Sequence, residues 1–390
     1  MDKKTVLITV DSHFIRKGET YYCESLLDDL FWEKYLSVFD KVYAICRMKE
    51  YENEDLDKWK LINTKNVVLL PVFDFRGPLQ YAKNLYSLKS RIKEYIKETK
   101  ASCAIFRLPS SLGFEVARQW DKSDRPYATE IVVDLTDEIY YKQGFVKKLI
   151  YKYWNHLLKK YANQADGTSY VTKYALQQKY PYTGFTTNYS SIDLPMEYFY
   201  KRNPLEQKKD YYTLIHTSTL TDDVKGHETF LRALKGVRDK GFDVRAVIIG
   251  GGSLKSHYEQ RTAELGLSDF VRFTGHLSEK FQIRNELVNA DIFVFPTESE
   301  GLPRCMIEAM ACSLPCISTP IAGIPELLDS FWMLDPHDVK GFEDRIVFLI
   351  ENYDKYNEAS YRNYEVSLNY SYPELMKRRK EFYTKLLIAK

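Results

Sequence analysis

The feature that most constrains the fold is an alternation of apolar strands and helical segments that stops near residue 204 and then begins again. The strands predicted before this break are Thr5–Val10, Lys41–Ile45, Val67–Pro71, Ala101–Arg107 and Tyr127–Asp134. Those predicted after it are Tyr212–His216, Val244–Gly250, Val271–Thr274, residues 290–296 and Cys316–Ser318. Strands that alternate with helices form βαβ units around a parallel sheet. The sequence therefore predicts an α/β protein with domains at 1–203 and 204–370, followed by a final helical segment at 371–390.

The composition is that of an ordinary soluble protein. Of 390 residues, 44% are hydrophobic and 28% are charged, and the net charge is +2. This balance argues against nucleic acid as the main partner. The six cysteines form no CxxC pair, and the apolar run at the start is too short for a signal peptide or a membrane span. We therefore expect a cytoplasmic protein with reduced thiols.

The segment 290–312 combines a strand, a polar turn and an apolar helix. Glu300 lies in the turn, where ligands of open α/β sheets bind. Glu308 lies on a helix that is apolar on nearly every side, and such a helix is normally buried. Because an unpaired buried charge is costly, Glu308 is either paired with another side chain or able to receive a ligand. The alternative for both residues is structural, as a helix cap and an ion pair.

Two further strand-to-helix loops in the second half carry candidate ligand-binding residues. Gly251 and Gly252 follow a strand and precede a helix, where backbone N–H groups can approach a phosphate or a sugar. Lys225 and Gly226 close another such loop, and a lysine at a helix start conflicts with the helix dipole unless an anion is near. A simple tight turn and an exposed loop lysine are the alternatives.

Metal-binding patterns are weak in this sequence. His216, His227 and His276 share the second half, but none has a metal-ligand spacing with another. The DxD triplet at 55–57 lies in an acidic stretch without a preceding strand, which favours a solvated loop.

In the first half, residues 11–20 are interpreted as a polar loop containing Gly18, and Tyr21–Tyr35 as a helix.

Residues 142–162 form a basic amphipathic segment of helical period, with six lysines and no acidic residue. A helix of this kind can lie on an anionic membrane surface. The alternative is a core helix with a solvated basic face.

In combination, these motifs resemble the retaining glycosyltransferases of the GT4 type. The family pattern Pro-Ser-x-x-Glu-Gly, Glu-Ala-Met-Ala-x-Gly-x-Pro and Gly-Gly-x-x-Glu corresponds here to PTESEG, EAMACSLP and AGIPE, between Pro296 and Leu328. Glu300 and Glu308 have the spacing of the family's E-x7-E motif, and Lys225 matches the family's lysine. The resemblance covers residues 212–390 well, and the first 200 residues only in architecture.

This resemblance implies the GT-B fold, in which two Rossmann-like domains face each other across a cleft and a C-terminal helix crosses back to the N-terminal domain. It implies an acceptor-binding domain at 1–203 and a nucleotide-sugar-binding domain at 204–370. Lys225 would bind the donor diphosphate, Glu300 would face the donor sugar, and Glu308 would accept hydrogen bonds from the ribose. Further donor contacts are implied for Gly251, Gly252, His276, Leu277, Gly301, Leu302 and Arg304. No metal ion and no other cofactor would be needed.

The sequence also departs from the family pattern. Ser218-Thr219-Leu220 stands where the family has Gly-Arg-Leu, so that Arg304 or another residue would have to replace the arginine at Thr219. Ser313 and Ala322 replace family glycines. The first half lacks the family's catalytic-site histidine near 136, which leaves Asp137 or a residue elsewhere for that role. Gly18 alone stands for the family's Gly-Gly pair on the acceptor or sugar side.

We therefore expect a glycosyltransferase that moves a sugar from a nucleoside diphosphate sugar to a glycan or lipid-linked glycan of a surface polysaccharide. A UDP-sugar is favoured as the donor over GDP-mannose. The rival hypotheses are a GT-B nucleotide-sugar epimerase, a non-catalytic GT-B scaffold and a nicotinamide-dependent oxidoreductase, although the last lacks a dinucleotide fingerprint.

Overall fold

The computed structural model describes residues 3–24, 27, 29–56, 59–120, 124–135 and 145–389. Its contacts divide the chain into two units, Met1–Tyr189 with Met376–Lys390, and Ser190–Leu375. Each unit contains one sheet with helices around it. The α/β class predicted from the alternating pattern is therefore confirmed.

The first unit is built on a nine-stranded sheet. Its strands are β1 (Thr5–Lys17), β2 (Thr20–Cys23), β3 (Lys41–Glu50), β4 (Lys60–Ile62), β5 (Val67–Phe73), β6 (Cys103–Leu108), β7 (Tyr127–Ile131), β8 (Gly167–Tyr170) and β9 (Phe185–Asn188). The parallel part has the order β5-β3-β1-β6-β7-β8-β9. Val6, Leu7 and Ile8 of β1 are fully buried, as expected for a central parallel strand covered on both faces.

The helices of the first unit include both long and short segments. They are α1 (Asp29–Leu36), α2 (Gly77–Lys83), α3 (Leu85–Thr99), α4 (Ser111–Trp120), α5 (Phe145–Gln164) and α6 (Ala175–Lys179). In α5, Leu157 and Leu158 are buried in the unit, whereas Leu149 and Tyr153 are exposed.

The expected polar loop at 11–20 is wrong, and the helix expected at 21–35 is a strand in its first residues and is helical from Asp29. Strand β1 continues to Lys17, turns at Gly18 and pairs antiparallel with β2, so that Phe14 lies opposite Cys23. A register shift between Val10 and His13 lets the strand bend and continue. The burial of Phe14 explains this extension, because a polar loop would have left its ring in water.

The second unit is built on a five-stranded sheet with the order β12-β11-β10-β13-β14, in which every pairing is parallel. Its strands are β10 (Tyr212–Thr217), β11 (Val244–Ile249), β12 (Val271–Gly275), β13 (Ile292–Val294) and β14 (Cys316–Ile317). Its helices are α7 (His227–Asp239), α8 (Lys255–Glu264), α9 (Lys280–Asn289), α10 (Arg304–Ala311), α11 (Val339–Glu351) and α12 (Tyr353–Leu368). Helix α12 has no counterpart among the elements predicted from the sequence.

The segment before Pro204 packs on the second unit, although the predicted domain boundary lies after it. The Arg202 guanidinium donates hydrogen bonds to the carbonyl oxygens of Cys312, Leu287 and Val288 at 2.7–2.9 Å. The Tyr200 N–H donates to the carbonyl of Ala311 at 2.8 Å. These bonds attach the residues just before Pro204 to the second unit.

The last helix, α13 (Tyr372–Ile388), begins in the second unit and continues in the first. Within the first unit, the ring of Tyr383 stacks on that of Tyr35 at a centroid distance of 5.4 Å. Among the described residues, no helix is both long and apolar enough to span a membrane.

Candidate active site

The strand order of the second sheet places four loops side by side at its carboxyl edge. These are the segments 218–226, 250–254, 276–279 and 295–303, which follow β10, β11, β12 and β13. All donor-binding residues predicted from the sequence lie in these loops or in the helices that follow them. The carboxyl ends of parallel strands are the usual position of ligand sites in α/β sheets.

The glycine loop after β11 packs directly on the backbone of the loop after β10. A Cβ at Gly250 would lie 1.8 Å from the Ser218 carbonyl oxygen, and one at Gly252 would lie 2.2 Å from that of Leu220. The Leu220 N–H donates to the Gly251 carbonyl at 2.9 Å. Close contact between loops therefore accounts for Gly250 and Gly252, whereas a Cβ at Gly251 would touch only His276, at 3.4 Å.

Lys225 and Glu300 form an ion pair in this site. The Lys225 ammonium lies 2.6 Å from Glu300 Oε1 and donates a second hydrogen bond to the Ser299 carbonyl at 2.9 Å. Both side chains are about one-fifth exposed, which leaves one side of the pair open to solvent. Gly226 follows Lys225 with a left-handed backbone, and a Cβ there would lie 2.0 Å from the Pro296 carbonyl oxygen, so both its conformation and its surroundings require glycine. The structure thus places the lysine and the first glutamate of the motif together.

Glu308 projects from α10, whose other side chains are mostly buried. Within the described part of the chain, its half-buried carboxylate has no hydrogen-bond or ion-pair partner. Desolvation raises the pKa of this carboxyl to about 7, although the charges of Arg304 and Lys280 act to lower it. Of the two alternatives from the sequence, this geometry favours a carboxylate that can receive a ligand.

Unpaired backbone donors surround the start of α10. The N–H groups of Gly301, Leu302 and Arg304 donate to no other described residue. Burial raises the pKa of the Cys305 thiol, which lies between the motif glutamates in the sequence. The charges of Glu300 and Glu308 also raise this pKa, and the charge of Lys225 lowers it. The turn therefore combines free N–H donors with the Lys225–Glu300 pair, and Glu308 follows on the helix that begins there.

The other predicted residues are less closely associated. His276 is exposed beside Gly251, and Leu277 is half-buried in the same loop. Thr219, at the position of the family arginine, is exposed and carries no positive charge. Gly18 lies in the turn between β1 and β2 of the first unit, and Asp137 lies outside the described residues.

Sequence reasoning missed a buried polar cluster beneath the Lys225 loop. His216 and His227 are completely buried, and both approach the Ser218 hydroxyl within 3.0 Å. Their spacing in the sequence matches no metal-ligand pattern and indicates no other role. The available signal was that His216 ends an apolar strand and His227 begins the next helix.

Residues 211–352 match the family model described as glycosyl transferases group 1. Protein CapJ of Staphylococcus aureus is 24% identical over 85% of this chain and 83% of its own length. The amylovoran biosynthesis glycosyltransferase AmsK of Erwinia amylovora is 30% identical over 33% of this chain and 31% of its own length. The crystal structure of Anabaena HepE in complex with UDP has a TM-score of 0.71 at 15% identity and covers 97% of this chain and 99% of HepE.

The motif resemblance in the second half and the match to the family model agree in position. The two Rossmann-like sheets agree with a fold that such enzymes share. The second half of this chain therefore matches the glycosyl transferases of group 1, and the chain is a glycosyltransferase with the GT-B fold.

Proposed function

We propose that this chain is a retaining, GT4-type glycosyltransferase that moves a sugar from a nucleoside diphosphate sugar to a glycan or lipid-linked glycan acceptor. A UDP-sugar is the favoured donor, ahead of GDP-mannose, and the product is a precursor of a surface polysaccharide. Transfer takes place in the cytoplasm. The unpaired carboxylate of Glu308, beside free backbone donors and the Lys225–Glu300 pair, is the observation that carries this proposal.

In this proposal, each group of the site has its own part in donor binding. The Glu308 carboxylate accepts hydrogen bonds from the ribose hydroxyls, which gives this half-buried group the partners that no described residue supplies. The N–H groups of Gly301, Leu302 and Arg304 bind oxygens of the phosphate or the sugar at the start of α10. The loops containing Gly251, Gly252, His276 and Leu277 hold the base and the rest of the nucleotide.

Lys225 supplies the electrostatic catalysis. As the bond between the sugar and the diphosphate breaks, negative charge develops on the departing nucleotide and positive charge on the sugar ring. The Lys225 ammonium stabilises the first, and the Glu300 carboxylate faces the second. The step needs no metal ion, because Lys225 and the backbone donors supply the positive charge near the diphosphate.

The names of related proteins support the class of donor and product. HepE has been crystallised with UDP and with UDP-glucose, and AmsK is named for amylovoran biosynthesis. The acceptor side belongs to the first unit in this proposal, with Gly18 near the sugar and Asp137 as the acid that replaces the family histidine. Replacement of Asp137 by Asn is expected to reduce transfer while nucleotide binding stays unchanged.

The first unit also has a surface suited to an anionic membrane carrying a lipid-linked acceptor. In α5, Leu149 and Tyr153 are 51% and 53% exposed, next to the exposed Lys148 and Lys152. A helix surface that combines lysines with exposed apolar side chains binds anionic lipid. The charge-reversed double variant of Lys148 and Lys152 should lose sedimentation with phosphatidylglycerol vesicles.

A matched control lies on the same helix. Lys159 and Lys160 are also exposed, but they follow the buried Leu157 and Leu158. Reversal of these two charges should leave most of the vesicle binding in place. Equal loss in the two double variants would instead indicate a general charge effect and would contradict a membrane contact through 142–162.

Thermal-shift screening against UDP-, GDP- and ADP-sugars tests the donor assignment. A donor at about 100 times its Kd should stabilise the fold by about 2.7 kcal/mol. We expect the largest shift with a UDP-sugar and none in a Glu308→Ala variant. Conversion of the donor to an epimer without acceptor would indicate an epimerase, and an intact fold without any binding or turnover would indicate a scaffold.

A further inference from the structure

A chain of three side chains connects the two ends of the loop that carries Lys225. His216 ends β10, Ser218 follows it, and His227 begins α7 after the loop. His216 Nδ1 lies 2.9 Å from the Val294 carbonyl oxygen, and His216 Nε2 lies 2.9 Å from Ser218 Oγ. Ser218 Oγ lies 3.0 Å from His227 Nε2. We call His216, Ser218 and His227 the histidine–serine chain.

The proton positions in the histidine–serine chain follow from its chemistry. Burial lowers the pKa of His216 well below its usual value and that of His227 to about 4, so both rings are neutral near pH 7. A carbonyl oxygen only accepts, so His216 Nδ1 carries the proton and its Nε2 accepts from the Ser218 hydroxyl. Ser218 Oγ then accepts from His227 Nε2–H. Every hydrogen bond therefore has one fixed direction.

The loop between these residues has little freedom elsewhere. On one side, Gly250 and Gly252 bring a second backbone against Ser218 and Leu220. On the other, the Tyr258 hydroxyl donates to Asp223 Oδ1 at 2.8 Å, and the Tyr258 ring lies 4.6 Å from that of His227. The histidine–serine chain closes the base of the loop, where the strand leaves and the helix begins.

We propose that Ser218 is a positioning residue that fixes the Lys225 ammonium for the diphosphate of the donor. The inference deepens the proposed function, on which it rests. A glycine, which the GT4-type pattern has at this position, could not connect the two imidazoles. Within the histidine–serine chain, the serine hydroxyl donates to the His216 ring and accepts from the His227 ring, so its removal breaks both hydrogen bonds.

The test compares two nucleotides that differ by one phosphate. Calorimetric titration of the Ser218→Ala variant should show a Kd for UDP raised by about tenfold. A change of this size corresponds to the binding free energy of roughly one hydrogen bond, lost because the loop no longer holds Lys225 in place. The Kd for UMP, which lacks the second phosphate of the diphosphate, should stay within about twofold. Ser218→Thr, which keeps the hydroxyl, should bind UDP like the wild type.

A double-mutant cycle with Lys225→Ala tests whether Ser218 acts through the lysine. Once Lys225 is absent, Ser218→Ala should have no further effect on UDP binding. Ser367→Ala serves as the control, because Ser367 is buried in the same unit and its hydroxyl bonds to the Tyr364 carbonyl, away from the loop. This variant should bind UDP normally even if its melting temperature falls.

Several results would overturn the proposal. Equal weakening of UDP and UMP would indicate general loosening of the unit, and a full effect in the Lys225→Ala background would separate Ser218 from the lysine. Unchanged UDP binding in Ser218→Ala would remove the role altogether. Failure of the proposed function has a different signature, since the wild-type protein would then bind neither nucleotide.

Discussion

Two carboxylates, the buried Glu130 in the first unit and the half-buried Glu308 in the second, have opposite surroundings. Glu130 is 5% exposed in β7 and accepts hydrogen bonds from three tyrosine hydroxyls. The hydroxyls of Tyr35, Tyr189 and Tyr383 lie 3.4, 2.7 and 2.9 Å from its oxygens. Glu308 accepts no hydrogen bond from any residue that the structure describes.

The charge balance differs in the same way. Arg107 Nε lies 3.8 Å from Glu130 Oε2, so that a cation and three hydroxyls complete the interactions of this carboxylate within the protein. Around Glu308, desolvation outweighs the favourable charges of Arg304 and Lys280. Burial alone therefore does not mark a functional carboxylate. Burial without a partner does, because the missing interactions have to come from a ligand.

The largest expected effect is on turnover when Glu308 is removed. Glu308→Ala should lower kcat/KM for the donor about a thousandfold, since hydrogen bonds to a charged group contribute about 1.5–3 kcal/mol each and two ribose hydroxyls are involved. Lys225→Ala should give a loss of similar size. Because Glu308 has no partner among the residues that the structure describes, the melting temperature should not fall. Glu358→Ala, an exposed change on α12, is the control, and near-normal turnover in Glu308→Ala would refute the assignment.

Removal of the charge from Glu130 should do the reverse. Glu130→Gln should lower the free energy of unfolding by about 3 kcal/mol, because it leaves the Arg107 charge and the tyrosine hydroxyls without a full partner. Urea titration measures this loss, and calorimetry should show an unchanged Kd for UDP. Tyr383→Phe, which removes one hydroxyl, should cost about 1 kcal/mol. If Glu130→Gln lost nucleotide binding but kept its stability, the proposed distinction between the two carboxylates would be wrong.

The pH dependence of Glu308 should have opposite signs for stability and for binding. Its pKa rises from 4.5 to about 7 on folding, so its contribution to stability is complete below about pH 4.5 and is lost as the pH rises through about 7. The ribose hydroxyls bind the ionised form, so the Kd for UDP should improve by several-fold between pH 6 and 8. In Glu308→Gln both trends should disappear, which separates them from titration of the nucleotide itself.

Most of the second unit was predictable because its strands, loops and helices follow local patterns. Lys225 and Glu300 each occupy a strand-to-helix junction that the hydrophobic pattern reveals, Glu308 lies on the helix that follows the second of them, and parallel strands bring these junctions together. The ion pair between Lys225 and Glu300 was not predictable, because it depends on the pairing of β10 with β13. The local sequence pattern does not reveal which strands are neighbours in the sheet.

The first unit was predictable only in class. The residues between Asp11 and Thr20 contain polar side chains, a glycine and only two large apolar side chains, so local pattern favours a loop. The strand forms there because it pairs with β2 in a hairpin and with β3, which is distant in the sequence. The partners of Glu130 come from α1, from β6, from the residue after β9 and from α13, and no local pattern relates these elements.

The smallest expected effect concerns two strained backbone positions, one with a hydrogen-bonding side chain and one without. Ser313 and Ala322, which replace family glycines, both have left-handed backbones, with φ of 56° and 47°. Ser313 offsets this strain by donating to the Tyr200 carbonyl at 2.8 Å and accepting from the Arg202 N–H at 3.3 Å. Alanine has no such group, and a left-handed non-glycine residue costs about 1–2 kcal/mol.

Glycine should therefore have opposite effects at the two positions. Ala322→Gly should raise the free energy of unfolding by about 0.5–1 kcal/mol, the relief of strain less the added freedom of the unfolded chain. Ser313→Gly gains the same relief but loses two hydrogen bonds worth about 1 kcal/mol each, so it should be destabilising by about 1 kcal/mol. Urea midpoints at constant m-value measure both changes. Stabilisation by both substitutions would show that the hydrogen bonds of Ser313 do not outweigh its backbone strain. The contrast between groups with and without partners in the protein would then hold for the two carboxylates but not for these two backbone positions.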